Sequence, residues 1–354
     1  MADGTLAEGS RTMKRVVIAW PGYTGYMGPC FKALSQICEL RIYIEPSKYE
    51  QQFDASSMAG VEFRRVEAGR ESAAVEDVRT FAPDLTMVCG WGTPMSSALA
   101  RGRISGLKVL EFDMPWEWSF RKFAARWVLW PHLRHFDAAF VPGNRCARYA
   151  RWLGFRGNRL ALGANPSGWE RFGETAFSSG EMPPGGFLFV GRFVAAKGLD
   201  VLLAAYAAYR QQSAEPWDLA LVGCGDALPQ KLPEGARVVG FVKPQDIPSV
   251  LRDHRCLVLP SRWEPWGVCA AEAMSAGLAT ILSSACGLVD DVRPTLTVSP
   301  GDADALAGAM LRVSGLPPEE LKQEGARVRA AVEQFSAARW AQRVMGFLGE
   351  DGQS

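Results

Sequence analysis

No two of the eight cysteines form a C-x-x-C pair, and histidine occurs only at His132, His135 and His254. Neither a zinc ribbon nor an H-x-x-x-H helix can be assembled from such a set, so no metal site is expected. Several of the cysteines, among them Cys38, Cys89 and Cys256, stand in or beside apolar runs. That is the pattern of reduced core residues in a cytoplasmic protein, not of a disulfide framework. An excess of one charge is missing too: 39 Lys and Arg against 38 Asp and Glu leave a net +1, which gives no support for bulk capture of nucleic acid. No apolar run approaches the roughly 20 residues that span a bilayer. The run at 16–20, after Lys14-Arg15, is too short for a signal peptide, and residues 1–14 read as a disordered polar leader.

What is present is a rhythm. A chain of 354 residues exceeds what one core usually serves. Short apolar runs at 16–20, 40–44, 61–66, 85–89, 109–112 and 138–141 alternate with helical patterns, and a second series follows at 187–190, 219–222, 238–239, 256–259, 280–282 and 296–298. Alternation of this kind predicts two doubly wound α/β domains facing each other across a cleft. The expected division is an N-terminal domain over 15–170, a linker over 171–185, a second domain over 186–334 and a C-terminal segment over 335–354. Segments 163–168 and 174–186, rich in Gly, Ser and Pro, mark the hinge. In the last segment Trp340, Val344, Phe347 and Leu348 fall at helical spacing, an amphipathic helix in need of a partner surface.

Two glutamates stand out in the second half. Glu264 lies in the loop after the apolar run 256–259, and Glu272 lies in the helix-forming stretch that follows Pro265-Trp266-Gly267-Val268. A helix that starts beside the carboxyl end of a parallel strand points unpaired N–H groups into the ligand crevice, a site for an anion. Carboxylates at its rim suit the hydroxyls of a polyol, so phosphate plus polyol suggests a nucleotide sugar; the plainer alternative is a helix cap and a solvated glutamate. Earlier, Arg192 and Lys197 follow the run 187–190 and are placed to clamp a diphosphate, Arg with its planar fork and Lys as a point charge.

Val190-Gly191-Arg192 with Lys197-Gly198, and Glu264 separated by seven residues from Glu272 and Ala273-Met274-Ser275-Ala276-Gly277, resemble the retaining glycosyltransferases of the GT-B fold, in the group often called GT4. The match in order and spacing is specific over 187–287 and looser over the N-terminal half. It implies a GT-B architecture of two Rossmann-like domains with the C-terminal helix crossing back to the first. It also implies that Arg192 and Lys197, with main-chain N–H groups at Trp266, Gly267 and Val268, hold the donor diphosphate and sugar. By the same likeness Glu272 holds the ribose, Glu264 the transferred sugar, and Gly223, Phe241 and Val242 the base pocket. The loop Gly22-Tyr23-Thr24-Gly25 is similar to the glycine-rich loop that covers the family's cleft. No cofactor or metal is implied beyond the nucleotide-sugar substrate, UDP-linked first and GDP-linked second.

Members of the family often carry a histidine near 111–115 that contacts the donor sugar. This chain has none there, and Asp113 or Glu111 is the expected substitute, each with a helix cap as its plain alternative. Its absence keeps open a non-catalytic nucleotide-sugar or glycan binder on the same fold, and more distantly a nucleotide-sugar epimerase. The acceptor is expected to be a glycan, a lipid-linked molecule or a small molecule, its identity beyond what acceptor loops encode. Segment 115–136 interleaves Trp116, Trp118, Phe120, Phe123, Trp127 and Trp130 with Arg121, Lys122, Arg126 and Arg134. It reads either as peripheral contact with the inner face of a membrane or glycan stacking, or as a core-facing helix with solvated cations.

Overall fold

The structure is a computed structural model that describes residues 13–22, 25–46, 61–172, 182–228 and 231–349. Residues 1–12 of the 1–14 leader, Tyr23 and most of the 171–185 linker lie outside the described residues.

Seven parallel strands form the first sheet: β1 (Arg15–Pro21), β2 (Glu39–Glu45), β3 (Glu62–Arg65), β4 (Leu85–Cys89), β5 (Leu107–Glu111), β6 (Ala138–Val141) and β7 (Leu160–Leu162), in the order β3-β2-β1-β4-β5-β6-β7. The connecting helices are α1 (Gly28–Ser35), α2 (Glu71–Phe81), α3 (Pro94–Arg101), α4 (Phe120–Val128), α5 (Trp130–Leu133) and α6 (Asn144–Leu153). Both faces of such a sheet are covered, which is why β1 and β4 read as unbroken apolar runs instead of alternating ones. The three-residue β7 was not expected; Leu160-Ala161-Leu162 is too short to register as a strand and is recruited by pairing with β6.

A second parallel sheet is built from β8 (Phe187–Val190), β9 (Leu219–Val222), β10 (Ala236–Gly240), β11 (Cys256–Leu259), β12 (Ala279–Ser283) and β13 (Leu296–Val298), in the order β10-β9-β8-β11-β12-β13. Its helices are α7 (Leu199–Gln212), α8 (Ile247–Arg252), α9 (Val268–Ser275), α10 (Ala303–Ser314) and α11 (Pro318–Val332). Both sheets therefore reverse direction once, between β1 and β4 and between β8 and β11. Such a reversal leaves a crevice outside the strands' carboxyl ends where ligands bind.

The last helix, α12 (Ala337–Gly346), returns to the first domain. Its apolar stripe supplies Trp340, Ala341, Val344 and Met345 to the core that also holds Trp20, Phe31 and Phe140. Trp340 is fully buried, stacks edge-on against Phe31 at 6.0 Å and donates its indole N–H to the Ala164 carbonyl at 2.8 Å. Ser336 caps the helix by accepting from the Arg339 N–H. Three further side-chain contacts also join the domains. Arg145 pairs with Asp290 at 2.8 Å, Asp291 accepts from the Asn144 N–H at the start of α6 at 2.9 Å, and Trp263 donates its indole N–H to Glu117. Among the described residues no helix is long and apolar enough to cross a membrane.

Candidate functional site

The loops after β8 and β11 are stitched together before any ligand is considered. The main-chain N–H groups of Arg262 and Trp263 both donate to the Ala196 carbonyl, and the Arg262 guanidinium forks onto Asp200 with two bonds of 2.6 Å. Glu264 is itself fixed by a bridge to Cys286, its carbonyl accepting from the Gly287 N–H at 3.0 Å. Lys197 and Glu264 are thereby held face to face and form an ion pair. Burial alone lowers the lysine pKa, but the neighbouring Glu264 carboxylate outweighs it and holds the ammonium above the ordinary lysine range.

Gly267 opens α9 in the left-handed region at φ 110°, and a Cβ there would sit 2.7 Å from the Cys286 sulfur. Only glycine makes this turn, and it leaves the N–H groups of Val268 and Cys269 without helical acceptors. Together with Lys197, Glu264 and Pro265 they line a cavity of 180 Å³ that reaches Tyr26, Asp113 and Asn165 of the first domain. The Trp266 indole does not reach the cleft: the residue is 1% exposed and packs on Phe335 at 5.1 Å. Any part it takes in holding a sugar is therefore left to its main chain, the role expected at that position.

One turn along α9, Glu272 is buried and paired with Arg171 at 3.0 Å. Burial raises its carboxyl above the usual range and the Arg171 charge partly offsets that. Arg171 also donates to the Pro244 carbonyl in the loop after β10, where the exposed Phe241 and half-buried Val242 sit. Arg171 was not expected. It lies 101 residues from Glu272 in the chain, in the segment that joins the domains, and no local spacing signals the pairing. Gly223, after β9, abuts the β8 loop so closely that a Cβ would lie 1.8 Å from the Gly191 carbonyl oxygen. Arg192 is exposed and forms no ion pair with a described residue.

On the first domain Gly22 ends β1 at φ 76° and donates to the Glu45 carbonyl; Gly25 begins the short turn that leads into α1. A cavity of 380 Å³ lies beside them, walled by Trp20, Tyr26, Trp91 and Phe112 and floored by Glu111. The two candidates for the missing histidine separate here. Glu111 is 3% exposed, and burial pushes its carboxyl up to about 8, with the Cys89 thiol opposing and Asp113 adding to the shift. Asp113 is open to solvent yet also held above the ordinary range by the surrounding protein. Tyr26, Asp113 and Asn165 line both cavities, so Asp113 stands where their contents would meet. Asn165 belongs to the Gly-Pro hinge stretch, and nothing in its spacing marks it as a cleft residue.

Residues 184–315 match the family described as glycosyl transferases group 1. Over 113 residues the chain is 34% identical to the uncharacterized glycosyltransferase YqgM of Bacillus subtilis, covering 29% of this chain and 31% of that one. Over 237 residues it is 30% identical to the D-inositol 3-phosphate glycosyltransferase of Salinispora arenicola, 60% of this chain and 48% of that one. The chain spans about a third of the length of the first curated relatives it matches. Among solved structures, Anabaena HepE in complex with UDP and glucose superposes with a TM-score of 0.72 at 16% identity, covering 96% of this chain and 100% of that one, a likeness of fold. The second domain of this chain is thus similar to the glycosyl transferases group 1 family over residues 184–315, carried on a scaffold of the GT-B fold.

Proposed function

We propose that the chain is a retaining glycosyltransferase that moves a sugar from a nucleotide diphosphate donor, UDP-linked in the first instance and GDP-linked in the second, to an acceptor hydroxyl. One observation carries the reading: Lys197, Glu264 and the open first turn of α9 line one small cavity that reaches Asp113 of the facing domain. In this reading the diphosphate sits on the Val268 and Cys269 N–H groups with Lys197 and Arg192 beside it. They neutralise the charge that builds on the leaving group, a task that a divalent ion performs in other transferases. Glu272 accepts from the ribose hydroxyls once Arg171 is shared, and Glu264 accepts from the sugar. The acceptor enters through the 380 Å³ cavity, its hydroxyl attacking on the face that the diphosphate leaves, with Asp113 at the junction. HepE, of the same fold, holds UDP and glucose, which supports the choice of donor.

Thermal-shift titration with nucleoside diphosphates tests the site, since a ligand specific to the folded state raises the melting point. UDP is expected to stabilise the wild type, and Arg192→Ala with Lys197→Ala to abolish the shift. An unchanged shift in that double variant would remove these residues from the site. Slow release of free sugar from a UDP-sugar without acceptor separates an enzyme from a pure binder, which releases none.

A further inference from the structure

Helix α4 lays only one edge of its apolar stripe on the protein, where Phe123 and Trp127 touch the Trp152 ring of α6 at 5.0 and 6.1 Å. An amphipathic surface helix ordinarily lays its apolar stripe on the core, but none of the nine residues of α4 is buried. Its inward side carries Lys122, Ala125 and then Leu129. The Lys122 side chain is only 14% exposed, its ammonium donating to the Pro115 carbonyl at 2.8 Å and to Glu117 at 2.9 Å. Its outward side carries Phe120, Trp127 and Val128, and the flanking Trp118 and Trp130 extend the same surface. These residues are 86%, 59%, 72%, 86% and 59% exposed, respectively. Isolated exposed apolar residues are common; five large ones within thirteen positions are a docking surface. The core-facing alternative for this segment holds for Trp116, Leu129, Leu133 and Phe136, but not for these five residues.

We propose that this surface docks on an anionic lipid bilayer. Charge selects that occupant. Arg121, Arg126 and Arg134 are exposed around the rings, and the segment's single nearby carboxylate before α4, Glu117, is already engaged by Lys122 and Trp263. Tryptophan rings flanked by arginines suit the headgroup level of a bilayer, where one end of the ring is apolar and the other wet. Continuity with the site points the same way. From the wall of the 380 Å³ cavity, rings run in contact from Trp91 to Phe112 (5.2 Å), Tyr149 (6.2 Å), Trp116 (5.9 Å) and the exposed Trp118 (5.7 Å). Docking by α4 brings the mouth of that cavity to the lipid surface. Resting on the acceptor role assigned above, this selects an amphiphile held in the bilayer as the acceptor class.

Co-sedimentation of the full chain with vesicles tests the docking. At low salt the wild type is expected to bind vesicles containing about 30% phosphatidylglycerol far better than pure phosphatidylcholine. Binding should fall roughly 100-fold in Arg121→Ser/Arg126→Ser/Arg134→Ser, three cations each giving about a fivefold effect at such a surface. Trp118→Ser/Phe120→Ser/Trp127→Ser should lose binding and also the quenching of tryptophan fluorescence by brominated acyl chains. Both variants should keep the wild-type UDP shift, which shows that they fold and keeps the donor assignment separate. No binding at low salt, or equal binding by the variants, overturns the proposal. A dimer seen by light scattering and abolished in the aromatic variant would also overturn it, assigning the face to a second copy.

Discussion

Lys197→Met is expected to destabilise the protein more than removing both members of the Lys197–Glu264 pair. The two side chains are only 16% and 11% exposed, so either partner alone would be a buried charge with little water to solvate it. Breaking such a pair costs about 3–5 kcal/mol, whereas replacing both partners by groups of similar size is often close to neutral. Glu264→Gln should fall between, since the amide still accepts from the ammonium. Lys197→Met/Glu264→Gln should recover about 2 kcal/mol relative to the sum of the single changes, the coupling expected of groups in contact. Activity should behave differently: Lys197→Met and the double variant should both lose roughly 10²–10³ in sugar transfer, because stability returns in the double variant but the charge opposite the leaving diphosphate does not. Urea melts of the four proteins, followed with and without UDP, check both halves. Additive losses of stability would mean that the pair is not coupled as its geometry requires.

The pair illustrates how much of the site was legible from the chain. Arg192, Lys197, Glu264 and Glu272 were picked out because each stands at a fixed offset from a strand end, and strand ends are what a parallel sheet aligns. What spacing could not supply was who touches whom. Lys197 and Glu264 are 67 residues apart and meet because the main chain of 262–263 bonds to Ala196. Arg171 reaches Glu272 across 101 residues from the domain junction. Partners of this kind are set by tertiary packing, which leaves no local periodicity to read.

The fold was more legible, for a related reason. Strands buried on both faces must be apolar throughout, so β1, β4, β8 and β11 declare themselves as runs. The C-terminal stripe of Trp340 and Val344 likewise marked α12 as a helix with something to bury. Periodicity gives a helix a face but not a direction for it. In α12 the apolar face turns inward and in α4 most of it turns outward, and the sequence of either helix alone is compatible with both. In α4 the protein side is taken by Lys122, whose ammonium bonds to the Pro115 carbonyl and Glu117, and by the contacts of Phe123 and Trp127 with Trp152.

Glu111 should give the protein a falling stability between mildly acidic and mildly basic pH. Its carboxyl titrates near 4.5 when the chain is unfolded and near 8 when folded, because burial disfavours the charge and its neighbours are the Cys89 thiol and the Asp113 carboxylate rather than a cation. Between these values the folded state keeps a proton that the unfolded state has released, so stability is fully present below the unfolded pKa and is lost as pH rises through the folded one. The loss complete above the folded pKa is roughly 5 kcal/mol. Glu111→Gln carries no such proton, so its urea midpoint should decline less than that of the wild type across this window. Glu272 and Asp291 also titrate upward by burial, but they do so in both proteins and cancel in the difference. Asp113→Asn should shrink the wild-type slope by removing the like charge that helps keep Glu111 protonated. Parallel curves for wild type and Glu111→Gln would show that the carboxyl is ionised in the fold. At neutral pH a protonated Glu111 on the floor of the 380 Å³ cavity offers an O–H donor, so it can orient an acceptor hydroxyl but cannot deprotonate it. In the proposed reaction that leaves Asp113, which lines both cavities, as the carboxylate to receive the proton.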